Sequence, residues 1–404
     1  MLLILLPQTL RGDQGDPLAV RIWPHGVVSI ETQWHFEVVI DLLKEQPLPD
    51  ELAHADLLIS RVDGEPWELH FQLQPTPSCD FDRAEKSSEL SKSQWPIKEL
   101  GLYLDRVANE SVQTLLTGSE ATYVSKNAMA ISHVDDRLLL ISVDGVRIAL
   151  PLVEEFADPQ EQLPLDVLIL NSPNIVEADI ARGQQLNPRW VVLGTSLTNH
   201  PSITAEAAVG NTLAVSYAEP VESVAEQPFE QVPRTQWIQL RTDPWQMPKE
   251  LADLFERKEL ASLQSQRTFA NLSVSQMNFK PSNGTHTPRW NSEHMMGREL
   301  LFFSQIYAQR SPSIEVIDLN PQQMPPDYQP KHDDWNGREE ARQMERVSRF
   351  TRRFAYLLGG LQLDSPAPGS SWTLSKLLTQ MDKHYTEHTA NVVKKFELPE
   401  WPKN

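Results

Sequence analysis

The chain holds a single cysteine, Cys79, in the loop-like stretch PTPSCDF. One thiol builds no disulfide framework and no Cys-rich zinc module, and a reducing, intracellular setting fits best. Long apolar runs are missing too. The N-terminus MLLILLPQTLRGDQGD has an apolar run of five residues before Pro7, no basic region and no small-residue cleavage site, so it reads as a buried strand and not as a signal peptide. No stretch approaches the roughly 20 apolar residues that cross a bilayer. A cytoplasmic protein without membrane association is therefore expected. A Gly-rich phosphate loop, a Walker pattern and a Gly-x-Ser-x-Gly elbow are also absent, which removes the corresponding nucleotide-binding and serine-hydrolase readings.

Basic residues are scarce in one part of the chain only. Trp245 to Asn404 carries 20 Lys and Arg against 19 Asp and Glu, whereas the residues before it carry 16 against 36. So acidic a segment repels a phosphate backbone, and nucleic acid is not an expected partner. With 404 residues, the chain also exceeds what one hydrophobic core usually organises, so two domains are expected.

Texture changes where charge does. Up to about Glu219 the chain offers short β-rich runs, among them AVRIW, FEVVIDLL, ADLLIS, WELHFQL, DVLILN, RWVVLG and TLAVSY. ISHVDDRLLLISVDGVRIALPL reads as consecutive hairpins turned at Asp-Asp and Asp-Gly. Helical patterns are fewer, with WPIKELGLYLDRVANESVQTLL and VEADIARGQQL the better ones. Residues 1–217 are thus expected to form an acidic, β-rich α/β domain, and 218–244, rich in Glu, Pro and small residues, a linker.

In residues 245–404 the apolar period lengthens to about 3.6. Four helices of about 20 residues are expected: PKELADLFERKELASLQSQRTFANL, TPRWNSEHMMGRELLFFSQIYAQ, REEARQMERVSRFTRRFAYLLGG and WTLSKLLTQMDKHYTEHTANVVKKF. Thr287 is an N-cap with Pro288 at the first helical position. The third helix presents Met344, Val347, Phe350, Phe354, Leu357 and Leu358 on one face and stops at Gly359-Gly360. An all-α four-helix bundle follows, and the long second connection, roughly 309–335, permits a crossover.

The fourth helix places His384 and His388 four residues apart, close enough on one face for two imidazoles to reach one ion. Alone, that spacing more often marks two solvated polar residues. Its inward seam, however, is read as Leu374, Leu377, Met381, His384 and His388, with Val392 and Phe396 flanking, and a second-helix seam as Trp290, His294, Gly297 and Leu301. Three inward imidazoles are either hydrogen-bonded core histidines or metal ligands, and as ligands they leave coordination for water or substrate.

The helix order, the WNSEH start of the second helix and the HYTEH of the fourth resemble the DinB/YfiT superfamily, the damage-inducible DinB-like fold, over about Pro248 to Pro402. The resemblance implies a four-helix bundle that holds a divalent metal through His294, His384 and His388. It implies activity more loosely: some members are thiol-dependent transferases or maleylpyruvate isomerases. A metal-dependent transferase, isomerase or hydrolase acting on a small-molecule or thiol substrate is one expectation. A non-catalytic scaffold with a structural or vestigial metal site is the other. Zinc, nickel, copper and iron all suit an all-imidazole site, and the oligomeric state stays open, a dimer included.

Other residues carry less. Glu293 and Glu387, each beside a histidine in sequence, are expected on solvated faces. Arg342, Arg346, Arg349 and Arg353 form a basic stripe, read as a solvated face paired with Glu339, Glu340 and Glu345, or alternatively as a dock for an anionic thiol cofactor or for the acidic domain. His286 and His332 are expected in surface loops. The N-terminal strand order faintly resembles a metallo-β-lactamase-like αββα sandwich. The segment where that family carries His-x-His-x-Asp-His reads SRVDGEPWEL here, without histidine, so the resemblance implies a degenerate domain that has lost its metal. His133, Asp135 and Asp136 are explained by a hairpin turn.

Overall fold

The computed structural model describes residues 17–32, 37–41, 49–52, 57–60, 68–71, 114–117, 120–124, 129–134, 138–143, 146–151, 165–171, 177–194, 206–207, 210–216 and 235–403. Among these, the chain divides into two compact units between Pro244 and Trp245. The first is rich in strands and the second is helical.

In the first unit, β1 (Leu18–Ile22), β2 (Val28–Glu31), β3 (Glu37–Asp41), β4 (Leu57–Ser60) and β5 (Glu68–Phe71) lie in sequence order in one sheet, with β14 (Thr212–Val215) outside β1. A second sheet starts as an antiparallel meander through β6 (Thr114–Thr117), β7 (Glu120–Val124), β8 (Met129–Val134), β9 (Leu138–Val143) and β10 (Val146–Pro151). It then turns parallel through β11 (Val167–Leu170), β12 (Trp190–Leu193) and β15 (Gln236–Gln239), with the two-residue β13 (Glu206–Ala207) beside β15. Helix α1 (Glu177–Leu186) joins β11 to β12, as parallel neighbours require. The fully buried VLIL of β11 shows why the parallel part reads as an unbroken apolar run.

Two expectations need correcting. Residues 236–239, assigned to the linker, are a strand, because their backbone pairs in register with β12 on one side and β13 on the other while Trp237 packs against the core cluster of Leu168, Leu170, Val191 and Leu193. The helix expected over 95–116 ends in strand β6 at its last residues. The rest of that segment, the N-terminal run expected as a strand, residues 61–67 of SRVDGEPWEL, Asp135, Asp136, Cys79 and 218–234 of the linker lie outside the described residues.

The second unit comprises α2 (Lys249–Phe269), the one-turn α3 (Val274–Met277), α4 (Pro288–Ala308), α5 (Gly337–Arg353) and α6 (Leu374–Val393). Local chemistry sets their ends. Thr287 Oγ1 accepts from Trp290 N at 3.0 Å, Asn336 and Glu339 form a capping box, and Thr373 accepts from Lys376 N. Gly360, at φ +78°, turns the chain after the 3-10 turn Ala355–Leu358. Helices α2 and α4 each pack against both α5 and α6, so the order around the unit is α2, α5, α4, α6. The expected apolar face of α5 is buried throughout. No helix among the described residues is long and apolar enough to cross a membrane.

A polar layer crosses this apolar interior. Lys258 of α2 and Glu299 of α4, both without solvent access, pair at 2.8 Å. Lys258 also donates to Ser348 Oγ of α5 at 3.1 Å, and Thr351 Oγ1 donates to Glu299 at 2.7 Å. On α6, burial first and then the charge of Glu299 hold the Tyr385 hydroxyl well above its ordinary pKa. Removing one partner of such a pair leaves a bare buried charge. Lys258→Met should therefore destabilise the protein by about 3–5 kcal/mol, whereas Lys258→Met with Glu299→Leu should recover most of that loss. Urea midpoints of the two variants check this, and equal stability of both would contradict a coupled pair.

Candidate metal centre

The cap at Thr287 fixes the phase of α4, and that phase puts Trp290, Asn291 and His294 on the side toward α6. There His294 meets His384 and His388, with ring centroids 4.7 and 5.0 Å away, and the two α6 rings lie 4.5 Å apart. One ring nitrogen from each lies within 4.8 Å of the others. All three sequence-predicted ligands are thus brought together. Their helix faces differ slightly from expectation. The buried seam of α6 runs Leu374, Leu377, Leu378, Met381, Tyr385, Thr389 and Val392, so His384 and His388 lie half-buried on its shoulder, and Phe396 is exposed.

The rings are held neutral. Burial, reinforced by the neighbouring imidazoles and Arg298, takes His294 down to about 3, and burial, His388 and Arg298 take His384 to about 4. Burial also lowers His388. A neutral imidazole keeps a lone pair for an ion. Asn291 determines which one at His388. Its Nδ2 donates to the Thr287 carbonyl at 2.8 Å, so its Oδ1 faces His388 Nδ1, also at 2.8 Å, and accepts from it. That leaves Nε2 of His388 unprotonated and free. Nδ1 of His294 and of His384 are buried without any partner. The donor set therefore fits a divalent metal: three neutral imidazoles, one held in a defined tautomer and two with an unsatisfied nitrogen.

One wall of the centre is aromatic. Trp290 stacks on His294 at 4.6 Å, and the exposed His286 stacks on the other face of Trp290 at 3.7 Å. His286, expected in a surface loop, thus stands at the rim. His332 stacks on Trp335 at 3.8 Å.

Several neighbours sit differently from expectation. Glu293 is buried, not solvated: it accepts from Asn320 Nδ2 at 2.7 Å and Lys331 N at 2.9 Å, and burial raises its pKa. It fastens the long connection 309–336 to α4. Glu387 is exposed, as expected. The arginine stripe is no solvated face, since Arg346 and Arg353 are buried. Glu340, expected to serve that stripe, instead pairs with the buried Arg289 at 2.7 Å. Asn291 and Arg298 were not singled out from the sequence. Their signal was positional, three residues before and four after His294 on one helix face.

No known family matches the chain, and no curated protein or solved structure does.

Two outcomes follow from this geometry. Because the folded histidines titrate below their unfolded value of about 6.5, the unfolded chain takes up protons first on acidification. Metal-free protein should lose stability as pH falls from about 6.5 toward the folded values near 4 and 3. His384→Gln should flatten that slope in urea titrations at stepped pH, and an unchanged slope would mean the ring is not held neutral by the fold. Asn291→Ala should weaken zinc binding about 10–100-fold, the usual cost of losing a partner behind a ligand. Competition against a chromophoric chelator measures it, and wild-type affinity would remove Asn291 from the centre.

Proposed function

We propose that the helical unit is a DinB/YfiT-like four-helix bundle, that His294, His384 and His388 hold a divalent metal ion in it, and that this centre is reactive rather than purely structural. The observation that carries the reading is the convergence of three neutral imidazoles from two helices, with two buried ring nitrogens unsatisfied. Half-burial supports an accessible centre, since a structural site is closed by a fourth protein ligand and, among the described residues, the cluster contains three.

Bound there, an ion supplies Lewis acidity to a carbonyl, water or thiol. The chain's own residues do the rest. Asn291 orients His388 and holds its Nδ1 proton. Trp290 keeps water from one face of His294. Glu293 and Arg289 anchor the long connection against α4. Metal-dependent transfer, isomerisation or hydrolysis on a small or thiol-bearing substrate is the activity class this arrangement suits.

Elemental analysis of protein purified without an affinity tag tests the metal, covering zinc, nickel, copper and iron together. Wild type should carry about one ion per chain, the Ala variants of the three histidines almost none, and Glu387→Ala the wild-type amount. Chelator should lower the wild-type melting temperature and barely move the histidine variants, because an ion bound only to the folded state adds its binding energy to stability. Metal-free wild type that cannot be loaded and ignores chelator would leave the three residues as core histidines.

A further inference from the structure

Arg298, whose charge helps keep His294 and His384 neutral, has no partner of its own among the contacts described so far. It lies four residues after His294 on α4, hence on the same helix face one turn further along. Its guanidinium is near enough for its charge to act on both His294 and His384. The residue is half-buried. Among the described residues it donates no hydrogen bond and forms no ion pair, whereas Arg289 and Arg352, on the same two packed helices α4 and α5, are each paired with a carboxylate. None of the Arg298 nitrogens is among the buried atoms without a partner, so they stay within reach of solvent, and a guanidinium brings up to five donors that a ligand entering the site could take.

Charge around the centre has the same implication. The three ligands are neutral, and the cluster of candidate donors includes no carboxylate. Glu387, the acid next to His388 in sequence, is exposed, and although its charge reaches His388, it is not among the candidate ligands. A divalent ion held by three imidazoles beside Arg298 would leave a net charge of about +3 with no acidic group among its ligands. Excess positive charge in a partly desolvated site favours an anion that touches both the ion and the guanidinium.

Resting on the metal reading above, we propose that the centre binds a small carboxylate, and that Arg298 is the residue that recognises it, with one carboxylate oxygen directed to the metal and the guanidinium donating to the carboxylate. The single guanidinium matches a singly charged group. Arg298 is then the specificity-determining side chain of the site, selecting anionic over neutral small molecules of the same size.

The test uses full-length protein loaded with cobalt(II), whose visible spectrum reports changes in its ligands, in chloride-free buffer. Acetate is the probe and acetamide the neutral control of equal size. Cobalt content is measured first. Wild type and Arg298→Met should take up equal cobalt. Acetate should then change the wild-type spectrum saturably, acetamide should not, and Arg298→Met should bind acetate about tenfold or more weakly, with Arg298→Lys between them. Equal acetate affinity in wild type and Arg298→Met at equal cobalt content would overturn the role of Arg298 and leave the metal centre standing. Acetamide binding as well as acetate would do the same. Failure of wild type to take up cobalt would remove the metal reading itself, and this proposal with it.

Discussion

A lysine and a glutamate that never meet water set the register of the helical unit. Lys258 and Glu299 sit at zero exposure, and neither charge is tolerable there without the other. Because Ser348 and Thr351 add hydrogen bonds to the pair from α5 while the Tyr385 hydroxyl feels the charge of Glu299 from α6, the layer engages all four long helices at one height. A slip of α4 by one residue would turn Glu299 by about 100° and strand it in apolar surroundings. The same two helices that this layer aligns carry the histidines: Glu299 is five residues beyond His294 on α4, and Tyr385 is the residue after His384 on α6. Fixing one pair of side chains in depth therefore fixes the other. The charged layer gives the histidine cluster its alignment, which apolar packing alone, tolerant of small slips, would hold less sharply.

Helix α4 is buried on nearly every side at its start, and each side has a separate task. Arg289 donates to Glu340, to Asn278 and to the carbonyls of Asp333 and Trp335, so one guanidinium ties α4 to α5 and to the segments entering both. Ser292 adds a bond to Glu340 at 2.9 Å. Glu293 holds the long connection through Asn320 and Lys331. Only Trp290, Asn291 and His294 are left facing α6. That is why the run RWNSEH carries almost no amphipathic pattern: polar residues are buried on several faces because each meets a specific partner. Gly297 extends the packing, since a Cβ there would come within 2.6 Å of Gln323 Oε1 in the connection.

This explains what the sequence made legible and what it did not. Signals that act within a few residues were readable: the Thr287-Pro288 start of α4, the apolar face of α5 from Met344 to Leu358, the glycine stop after it and the hairpins β8 to β10. Pairing of His384 with His388 was readable for the same reason, because one helical turn links them. Burial of Glu293, Arg346 and Arg353 was not. A charged side chain is buried only when a partner waits for it, and the partners of Glu293 stand 27 and 38 positions away in irregular chain. Strand β15 was missed on similar grounds, since QWIQ becomes a strand through its register with β12, 46 positions earlier, and little in its own composition separates it from a linker. The shoulder position of the histidines on α6 reflects the 3.6-residue period itself, in which a seam through Met381 and Tyr385 leaves the positions just before it half-exposed.

The pattern of satisfied and unsatisfied groups argues that the histidine cluster is unfinished without a ligand. Elsewhere in the helical unit, buried ions meet their counterparts, Lys258 with Glu299 and Arg289 with Glu340, at 2.8 and 2.7 Å. At the cluster Trp290 Nε1, His294 Nδ1 and His384 Nδ1 are buried without hydrogen-bond partners, as Glu299 Oε2, Gln266 Oε1 and Gln323 Oε1 are elsewhere in the unit; what sets the cluster apart is that three imidazoles with nitrogens within 4.8 Å of one another meet there. Each unsatisfied buried group costs about 1–3 kcal/mol, and a core free to fill the space with leucine would avoid that cost. Coupling sharpens the point, because a proton on one ring is disfavoured by burial and by the Arg298 charge and makes protonation of the other two harder, so the cluster does not relieve itself by taking up protons near neutrality. A cation shared by all three imidazoles, as proposed above, would engage their lone pairs together. The anion proposed between that cation and Arg298 would then offset the charge the cation brings.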